Sequence, residues 1–492
     1  MTRAENWNLI LRLCELAKDD DITSVRVALL NDFSIPEPFQ PANHFRHLLG
    51  ALKPFFSRDL TSRSTGRPKK TLPLILFPYA SGSNLPHLAP VAREARNRGL
   101  LGLIVAGERL RPEHLEGFDN VVSEIALWRT ARKRGLAGIF QSARKKFKRI
   151  VAILEQLDPP SARRARQNYG WIFRNLVVSH AMSESFRTLL EEWEPSCVIS
   201  TSDYWPFEFQ LFSQARRLGI PNAMIQHGEL NDVISWPTYA ETFLVWGSVF
   251  QEKLLKLGAP AERLRVCGMP SADVLFNRTQ NLLSKAANSS PPVCLLFSHA
   301  HERREEPILF KAFATFLKQV IELMPRVRWI IRLHPGEDES FYHEIGIVGH
   351  PQVQIQPRNI SLEDAVAEAD VTCTIRSTAG LQAMILQRPL VIIDIVPNTE
   401  CAVWWPLNGG GLAARTPKDF EVHCSRLTGN SEFRASTLNS QREFIDRAFA
   451  NKGRATSSVV DYLAEQTRFS STSRVPVPVK LVKELQQERI QL

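Results

Sequence analysis

An arginine and a histidine at the end of one apolar stretch of the sequence could hold a phosphate group. Residues 327–333 form a largely apolar, β-branched run that contains Arg332, and His334 and Pro335 follow it. Such a run predicts a buried parallel strand, which the proline ends while it forces the histidine into an extended conformation. Ligands bind at the carboxyl ends of strands in doubly wound sheets, so both side chains are candidates for a ligand site.

A pair of hydroxyl groups follows a second stretch of the same kind. Residues 371–375 are rich in β-branched side chains and lead into Arg376, Ser377 and Thr378, and a helical pattern begins near Gly380. The N–H groups and the dipole at a helix start favour phosphate, although the same hydroxyls could instead cap the helix. The two stretches offer cationic, imidazole and hydroxyl groups without an acidic cluster. This set suits a nucleotide monophosphate or diphosphate held without a metal.

Polar side chains in the first half of the sequence could supply a general base. His227 and Glu229 flank Gly228 directly after one predicted strand, and Asp203 follows another. Imidazole has a pKa near neutrality, so His227 suits the removal of a proton from an acceptor hydroxyl, and the glycine turn would leave its ring exposed. Each candidate has a structural alternative: His227 could be an ordinary turn residue, and Asp203 could cap the helix that follows.

The composition indicates a soluble protein with more than one domain. A chain of 492 residues is too long for one core, and 44% apolar and 23% charged residues are ordinary values. The sequence has no run of 18 apolar residues and no secretory signal pattern, which favours the cytoplasm. The seven cysteines include no C-x-x-C pair. His299 and His301 are two positions apart without carboxylate ligands at a fixed spacing, so we expect a loop near the donor rather than a metal site.

Basic residues are concentrated between Arg129 and Arg166. This segment carries much of the net charge of +10. It could attract anionic lipid or nucleic acid, or it could be a solvated helix face. We expect peripheral contact with the inner face of a membrane, near a lipid-linked acceptor, and no nucleic-acid partner.

Strands and helices alternate in two halves of the chain. Residues 1–70 are predicted to form a peripheral N-terminal arm, and residues 71–285 an acceptor domain with a basic helical insertion. Residues 286–467 are predicted to form a nucleotide-sugar domain, and residues 468–492 a tail. Alternation of this kind predicts parallel sheets, and hence an α/β fold of two Rossmann-like domains facing across a cleft.

Three short motifs follow one another in the second half. They are Arg332-Leu-His-Pro335, Ser377-Thr-Ala-Gly-Leu-Gln-Ala383 and Gln387-Arg-Pro-Leu-Val391. As an ordered set they resemble the second domain of GT-B glycosyltransferases of the capsule polysaccharide and glycerophosphotransferase type. The resemblance covers roughly residues 72 to 466, and each motif alone is a weak signal.

The resemblance implies transfer of a sugar, or a related group, from a nucleotide-activated donor to a cell-surface polysaccharide or lipid-linked glycan, without metal or cofactor. By the same resemblance His334, Ser377 and Thr378 would contact the donor phosphate, and Arg332 or Arg376 would neutralise its charge. The base would come from the first domain.

Two departures from the family pattern concern the donor. Gln382, just after Gly380, stands where many relatives have a glutamate that holds the ribose, and Gln387 stands where they have a glycine. An amide still hydrogen-bonds hydroxyls, but the donor's identity is left open. Two other functions therefore stay open as well: a nucleotide-sugar epimerase of the same fold, and a non-catalytic protein that binds nucleotide sugar or polysaccharide.

Overall fold

The computed structural model describes residues 3–26, 28–30, 55, 74–77, 85–106, 118–230, 235–282, 290–299, 307–334, 336–395 and 404–470. These residues form two compact units. The first takes its described residues from Met1–Trp246, Phe250–Ser271 and Arg454–Leu492, and the second takes them from Gly247–Val249 and Ala272–Gly453.

The first unit is built on a seven-stranded parallel sheet. Its strands are β1 (Leu74–Phe77), β2 (Leu101–Ala106), β3 (Asn120–Ser123), β4 (Cys197–Ser200), β5 (Asn222–Ile225), β6 (Thr242–Val245) and β7 (Leu264–Val266). They lie in the order β3-β2-β1-β4-β5-β6-β7. The strand order therefore reverses between β1 and β4. β4 and β5 are buried along their whole length, as expected of a parallel sheet covered on both faces.

Helices cover this sheet and extend beyond it. They are α1 (Arg3–Ala17), α2 (Asp20–Ser24), α3 (Leu85–Asn97), α4 (Glu124–Lys133), α5 (Leu136–Leu157), α6 (Pro159–Gln167), α7 (Tyr169–Trp193), α8 (Pro206–Arg217) and α9 (Ser248–Lys256). Helices α4 to α7 form an insertion between β3 and β4. The Asp158 side chain caps α6, whose first residues are two prolines, so α5 and α6 are separate helices.

The second unit contains a six-stranded parallel sheet. Its strands are β8 (Val293–Phe297), β9 (Arg328–Arg332), β10 (Val353–Ile355), β11 (Val371–Thr374), β12 (Leu390–Ile393) and β13 (Leu412–Ala414), in the order β10-β9-β8-β11-β12-β13. Its helices are α10 (Asp273–Leu282), α11 (Pro307–Leu323), α12 (Ser340–Glu344), α13 (Leu362–Glu368), α14 (Ala379–Ile385), α15 (Pro417–Gly429) and α16 (Ser431–Ala448). The sheet reverses its order between β8 and β11. Two parallel-sheet α/β domains, as predicted from the sequence, are thus confirmed.

The extents of the units differ from the predicted boundaries at both ends. Trp7, Ile10 and Leu13 of α1 are buried, whereas residues 1–70 were expected to be peripheral. The last described helix, α17 (Ala455–Ser470), packs on α3 of the first unit instead of closing the second. Both helices bury apolar faces, and the predicted division did not account for this burial. Residues 471–492, most of the predicted tail, lie outside the described residues.

A run of acidic residues fixes the N-terminal helices to the insertion. Asp21 is buried, and its carboxylate accepts hydrogen bonds from Ser179 at 2.7 Å and Gln210 at 2.8 Å, and lies 3.1 Å from the His180 ring. It also pairs with Lys146 of α5. Burial would raise the pKa of Asp21, but the bonds from His180, Lys146 and Ser179 hold it below its usual value. This charged centre holds α2 against α5, α7 and α8.

The basic segment is only partly available to a partner. Arg134 pairs with Glu184, Arg166 pairs with Glu155, and Lys146 points inward to Asp21. The exposed basic residues of α5 share one face of that helix. They are Arg144, Lys145, Lys148 and Arg149. In the part of the chain that the structure describes, no helix is long and apolar enough to span a membrane.

Candidate functional site

The predicted site residues follow strands at the carboxyl edges of the two sheets. In the second unit, Ser298 and His299 follow β8, His334 follows β9, and Arg376 begins the segment after β11. These three strands are neighbours at the reversal of the strand order, where doubly wound sheets bind ligands.

The loop after β9 fixes the tautomer of His334. The backbone N–H of Gly336 donates to His334 Nδ1 at 3.1 Å. A neutral imidazole that accepts at Nδ1 carries its proton on Nε2, so this ring is a donor at Nε2. The ring is half-buried, and its centroid lies 6.2 Å from that of His299 in an edge-to-face arrangement. Pro335 lies outside the described residues.

A buried acid that the sequence prediction missed anchors this loop. Glu337 accepts a hydrogen bond from the backbone N–H of His334 at 3.2 Å and another from the hydroxyl of Ser298, to which Tyr342 donates in turn. Burial, together with the nearby charge of Glu337, raises the pKa of the Tyr342 phenol. The network connects the ends of β8 and β9. In the sequence Glu337 is one of several acids in a polar stretch, and nothing marks it as buried.

Arg332 makes contacts within its own unit. Its Nη1 donates to the side chain of Gln356 at 2.7 Å and to the carbonyl of Ile360 at 2.9 Å. Partial burial lowers the pKa of Arg332, against the raising effect of Glu363. Arg332 therefore holds the end of β9 to the segment before α13.

The hydroxyl pair after β11 belongs to a tight turn. Ser377 Oγ accepts from the N–H of Ala379 at 3.3 Å, and the N–H of Ser377 donates to Thr374 Oγ1 at 3.0 Å. Ser377 thus shapes the turn just before α14, whose N-cap residue Thr378 makes no side-chain capping bond, and the phosphate contact predicted for this hydroxyl pair stays a prediction. Thr378 and Arg376 beside it are half-buried.

Gly380 allows α14 to lie close to the sheet. A Cβ atom at this position would lie 3.1 Å from Leu390 Cδ2 and 3.2 Å from Thr374 Cγ2. The glycine is therefore explained by close packing of helix on strand, and its predicted donor contact stays a prediction. Gln382, two residues further on, is half-buried.

His227, after β5 of the first unit, has the opposite hydrogen-bond state to His334. One of its ring nitrogens donates to the backbone carbonyl of Thr201, so the other nitrogen of the neutral ring is an acceptor. Burial lowers the pKa of His227, and the bond to Thr201 opposes this only in part. The ring is half-buried rather than exposed as predicted, and lies 6.3 Å from the Tyr204 ring. Glu229 is half-buried two residues further on.

Asp203 is a buried residue whose carboxylate is bound by other side chains of the first unit. Its side chain is fully buried and forms an ion pair with Arg26 at 3.2 Å. It also accepts hydrogen bonds from the Thr238 hydroxyl at 3.1 Å and from the backbone N–H of Tyr239. A general base must reach the acceptor hydroxyl, and a buried, paired carboxylate does not fit that role. The sequence showed a polar residue after a strand but not the arginine, 177 positions away, that pairs with it.

Glu208 is a second buried acid at this edge. It lies in the first turn of α8, and burial raises its pKa to about 8, with smaller contributions from the charges of Glu124 and Asp203. The carboxyl is therefore largely protonated at neutral pH. Its sequence context, between two phenylalanines after a proline, gave no sign of this.

The described residues contain no group of three or more His, Cys, Asp or Glu side chains placed to hold a metal ion. His301, the second histidine of the weak metal pattern, lies outside them.

No family model matches the sequence, and no curated protein matches it. Solved structures do match the fold. The UDP-GlcNAc 2-epimerase from Neisseria meningitidis, bound to UDP-GlcNAc, has a TM-score of 0.53 at 15% identity, over 80% of this chain and 100% of that one. MnaA of S. aureus with UDP has a TM-score of 0.53 at 12% identity, over 83% and 100%. The Methanocaldococcus jannaschii UDP-GlcNAc 2-epimerase, with UDP-GlcNAc and UDP, has a TM-score of 0.50 at 11% identity, over 80% and 99%.

Identities this low establish the fold alone. The two Rossmann-like domains correspond to the GT-B-like architecture predicted from the sequence. About a fifth of this chain has no counterpart in the Neisseria enzyme, because 80% of it is covered.

Proposed function

We propose that this chain is an enzyme that acts on a nucleotide-activated sugar, with the nucleotide phosphates bound by the second unit and a proton accepted by the first. The observation that supports this division is the pair of opposite histidine states. His334 is a donor at Nε2, which suits a phosphate oxygen, and His227 has an acceptor nitrogen, which suits a base.

Epimerisation of a UDP-sugar is the first candidate reaction. The fold favours this reaction, because the two solved 2-epimerases cited above align with this chain over 100% and 99% of their own length. In this reaction His227 would remove a proton from the sugar itself. No acceptor molecule would be needed.

Glycosyl transfer to a polysaccharide or lipid-linked acceptor is the second candidate. The exposed basic face of α5, with Lys145, Lys148 and Arg149, favours it, because such a face suits an anionic membrane that carries a lipid-linked acceptor. In this reaction His227 would deprotonate the acceptor hydroxyl while the phosphates leave with the nucleotide.

Two measurements, made one after the other, test the proposal. A thermal-shift panel of UDP, CDP, GDP and their sugars should reveal a stabilising nucleotide, since a ligand at 100 times its Kd adds about 2.7 kcal/mol. Product analysis with that nucleotide sugar and no acceptor then separates the reactions. An epimer formed without acceptor selects epimerisation, and turnover that requires acceptor selects transfer. Absence of any stabilising nucleotide would overturn the proposal.

The membrane contact is tested by co-sedimentation with vesicles of phosphatidylcholine with or without phosphatidylserine. We expect binding to the anionic vesicles that falls steeply with added salt, because each exposed basic residue contributes about 1 kcal/mol at an anionic surface. Lys148→Gln should weaken this binding, while Lys256→Gln, an exposed lysine of α9, serves as the control. Equal binding to neutral vesicles would contradict the idea.

A further inference from the structure

Three consecutive carbonyl groups in the loop after β5 accept hydrogen bonds from side chains. Nε1 of Trp246 donates to the carbonyl of Gln226 at 2.7 Å, and the side-chain amide of Gln226 donates to the carbonyl of Gly228 at 3.1 Å. The carbonyl between them, that of His227, accepts from the imidazole of His87. The backbone is therefore fixed at the candidate base and on both sides of it.

His87 is itself held on several sides. It lies in the first turn of α3 and is 4% exposed. Its Nδ1 lies 3.3 Å from the hydroxyl of Ser271, and its ring stacks on Trp246 with centroids 6.0 Å apart and planes 12° from parallel. With Ser271 at Nδ1, the ring donates to His227 through Nε2.

The environment keeps His87 neutral. Burial lowers its pKa to about 3, and the nearby His227 adds to the effect. Both ring nitrogens are engaged and the ring is shielded from solvent, so His87 is placed to hold the loop and not to exchange protons with substrate.

We propose that His87 is a positioning residue that sets the orientation of His227. The hydrogen bond from His87 fixes the backbone of His227. Because this backbone is fixed, the imidazole ring of His227 stays within hydrogen-bond distance of the Thr201 carbonyl. That bond decides which ring nitrogen carries the proton and which accepts one. The catalytic part of this inference rests on the proposed function of His227, whereas the effect on its ring does not.

The alternative is that His87 is a buried histidine that only fills space in the core. The two alternatives differ in what a substitution changes. A space-filling residue affects stability, while a positioning residue also affects the protonation behaviour of His227.

The experiment compares His87→Leu, which fills the space without a donor, with His87→Gln, whose amide can still donate. The core variant Val91→Ala, on the same helix and buried, controls for loss of stability. In each purified full-length protein the pKa of His227 is measured by NMR of ¹³C-labelled histidine, with His227→Gln to assign its signal. Turnover is measured with UDP-GlcNAc as the probe, or with the nucleotide sugar that the thermal-shift panel identifies.

We expect His87→Leu to move the pKa of His227 up towards its ordinary value, because the ring loses its fixed, half-buried position. Turnover should fall about 10- to 100-fold with little change in KM, since a misplacement of about 1 Å has effects of this size. His87→Gln should restore most of both properties, and Val91→Ala should change neither.

An unchanged His227 pKa in folded His87→Leu would overturn the positioning role, whatever the turnover. An equal pKa change in Val91→Ala would overturn it too, because the effect would then come from general loosening. A shifted pKa in His87→Leu combined with full turnover in His227→Ala would refute the proposed function of His227 and leave the positioning role standing.

Discussion

The two units share an architecture but prepare their histidines for different chemistry. Each sheet reverses its strand order once, and in each a histidine follows the second strand from the reversal. His334 accepts a bond from a neighbouring N–H, while His227 donates one to a carbonyl. The residue type alone does not show which of them is a donor and which a base. The hydrogen-bond partner of each ring shows it.

The units also hold their histidines by different means. The His334 loop is held through a charged group, the buried carboxylate of Glu337. The loop of His227 is held by neutral side chains, His87, Trp246 and Gln226. A base buried beside a carboxylate would gain a raised pKa, and neutral partners avoid this effect.

Among the tests of the different roles of His227 and His334, we expect the largest effect from His227→Ala. Turnover should fall about 100- to 10,000-fold, which is typical of the loss of a general base. The affinity for the nucleotide, measured by calorimetry, should change less than about twofold, because the phosphates are assigned to the other unit. Near-normal turnover, or equal losses in binding and turnover, would contradict the assignment of the base to the first unit and of phosphate binding to the second.

Asp203→Asn should act on stability instead. The change leaves the buried guanidinium of Arg26 without its counter-charge, which typically costs about 3 to 5 kcal/mol of unfolding free energy. Asp461→Asn, in an exposed pair with Arg98, is the matched control and should cost less than about 1 kcal/mol. Urea unfolding measures both. Lost turnover in a fully stable Asp203→Asn protein would return Asp203 to the list of candidate bases.

His334→Ala should weaken nucleotide binding by about 10- to 150-fold, the equivalent of one hydrogen bond to a charged group at about 1.5 to 3 kcal/mol. The melting temperature should hardly change, because the ring is half-buried at a strand end. The control is His343→Ala, an exposed histidine of the neighbouring α12. Full affinity in His334→Ala would exclude this residue from the phosphate site.

A further effect concerns pH and Glu208. Its pKa is raised in the folded protein from 4.5 to about 8, so between these values the folded state keeps a proton that the unfolded state has lost. Stability is then full below pH 4.5 and falls as the pH rises towards 8, by at most about 1.4 kcal/mol per pH unit. Glu208→Gln should remove this decline, and Glu191→Gln on the surface of α7 should not. A decline of the same slope in Glu208→Gln would assign the pH dependence to another group.

The sequence predicted the strands well because their signal is local. The run 293–297 is apolar at successive positions and the run 371–375 is rich in β-branched residues, as burial on both faces of a parallel sheet favours. Arg332, His334 and His227 were placed at strand ends for the same reason.

Several contacts that the sequence did not show involve partners distant in sequence. Asp203 pairs with Arg26, Asp21 with Lys146, and the loop of His227 with His87. No periodicity within one segment shows such pairs, so a buried acid and a solvated one are indistinguishable in the sequence. Residues 1–70 were predicted to be peripheral because a possible helix there is followed by a Pro-rich and then an Arg/Ser-rich stretch.

Helix α17 has a consequence for the order in which the protein is made. Its Val459, Val460 and Leu463 pack into the same apolar cluster as Leu88 of α3 and Ile104 of β2, and so complete the first unit. All seven strands of that unit leave the ribosome before this helix is synthesised. The part of this apolar cluster that α17 covers therefore stays exposed while the second unit is still being translated, and exposed apolar surface of this kind favours aggregation.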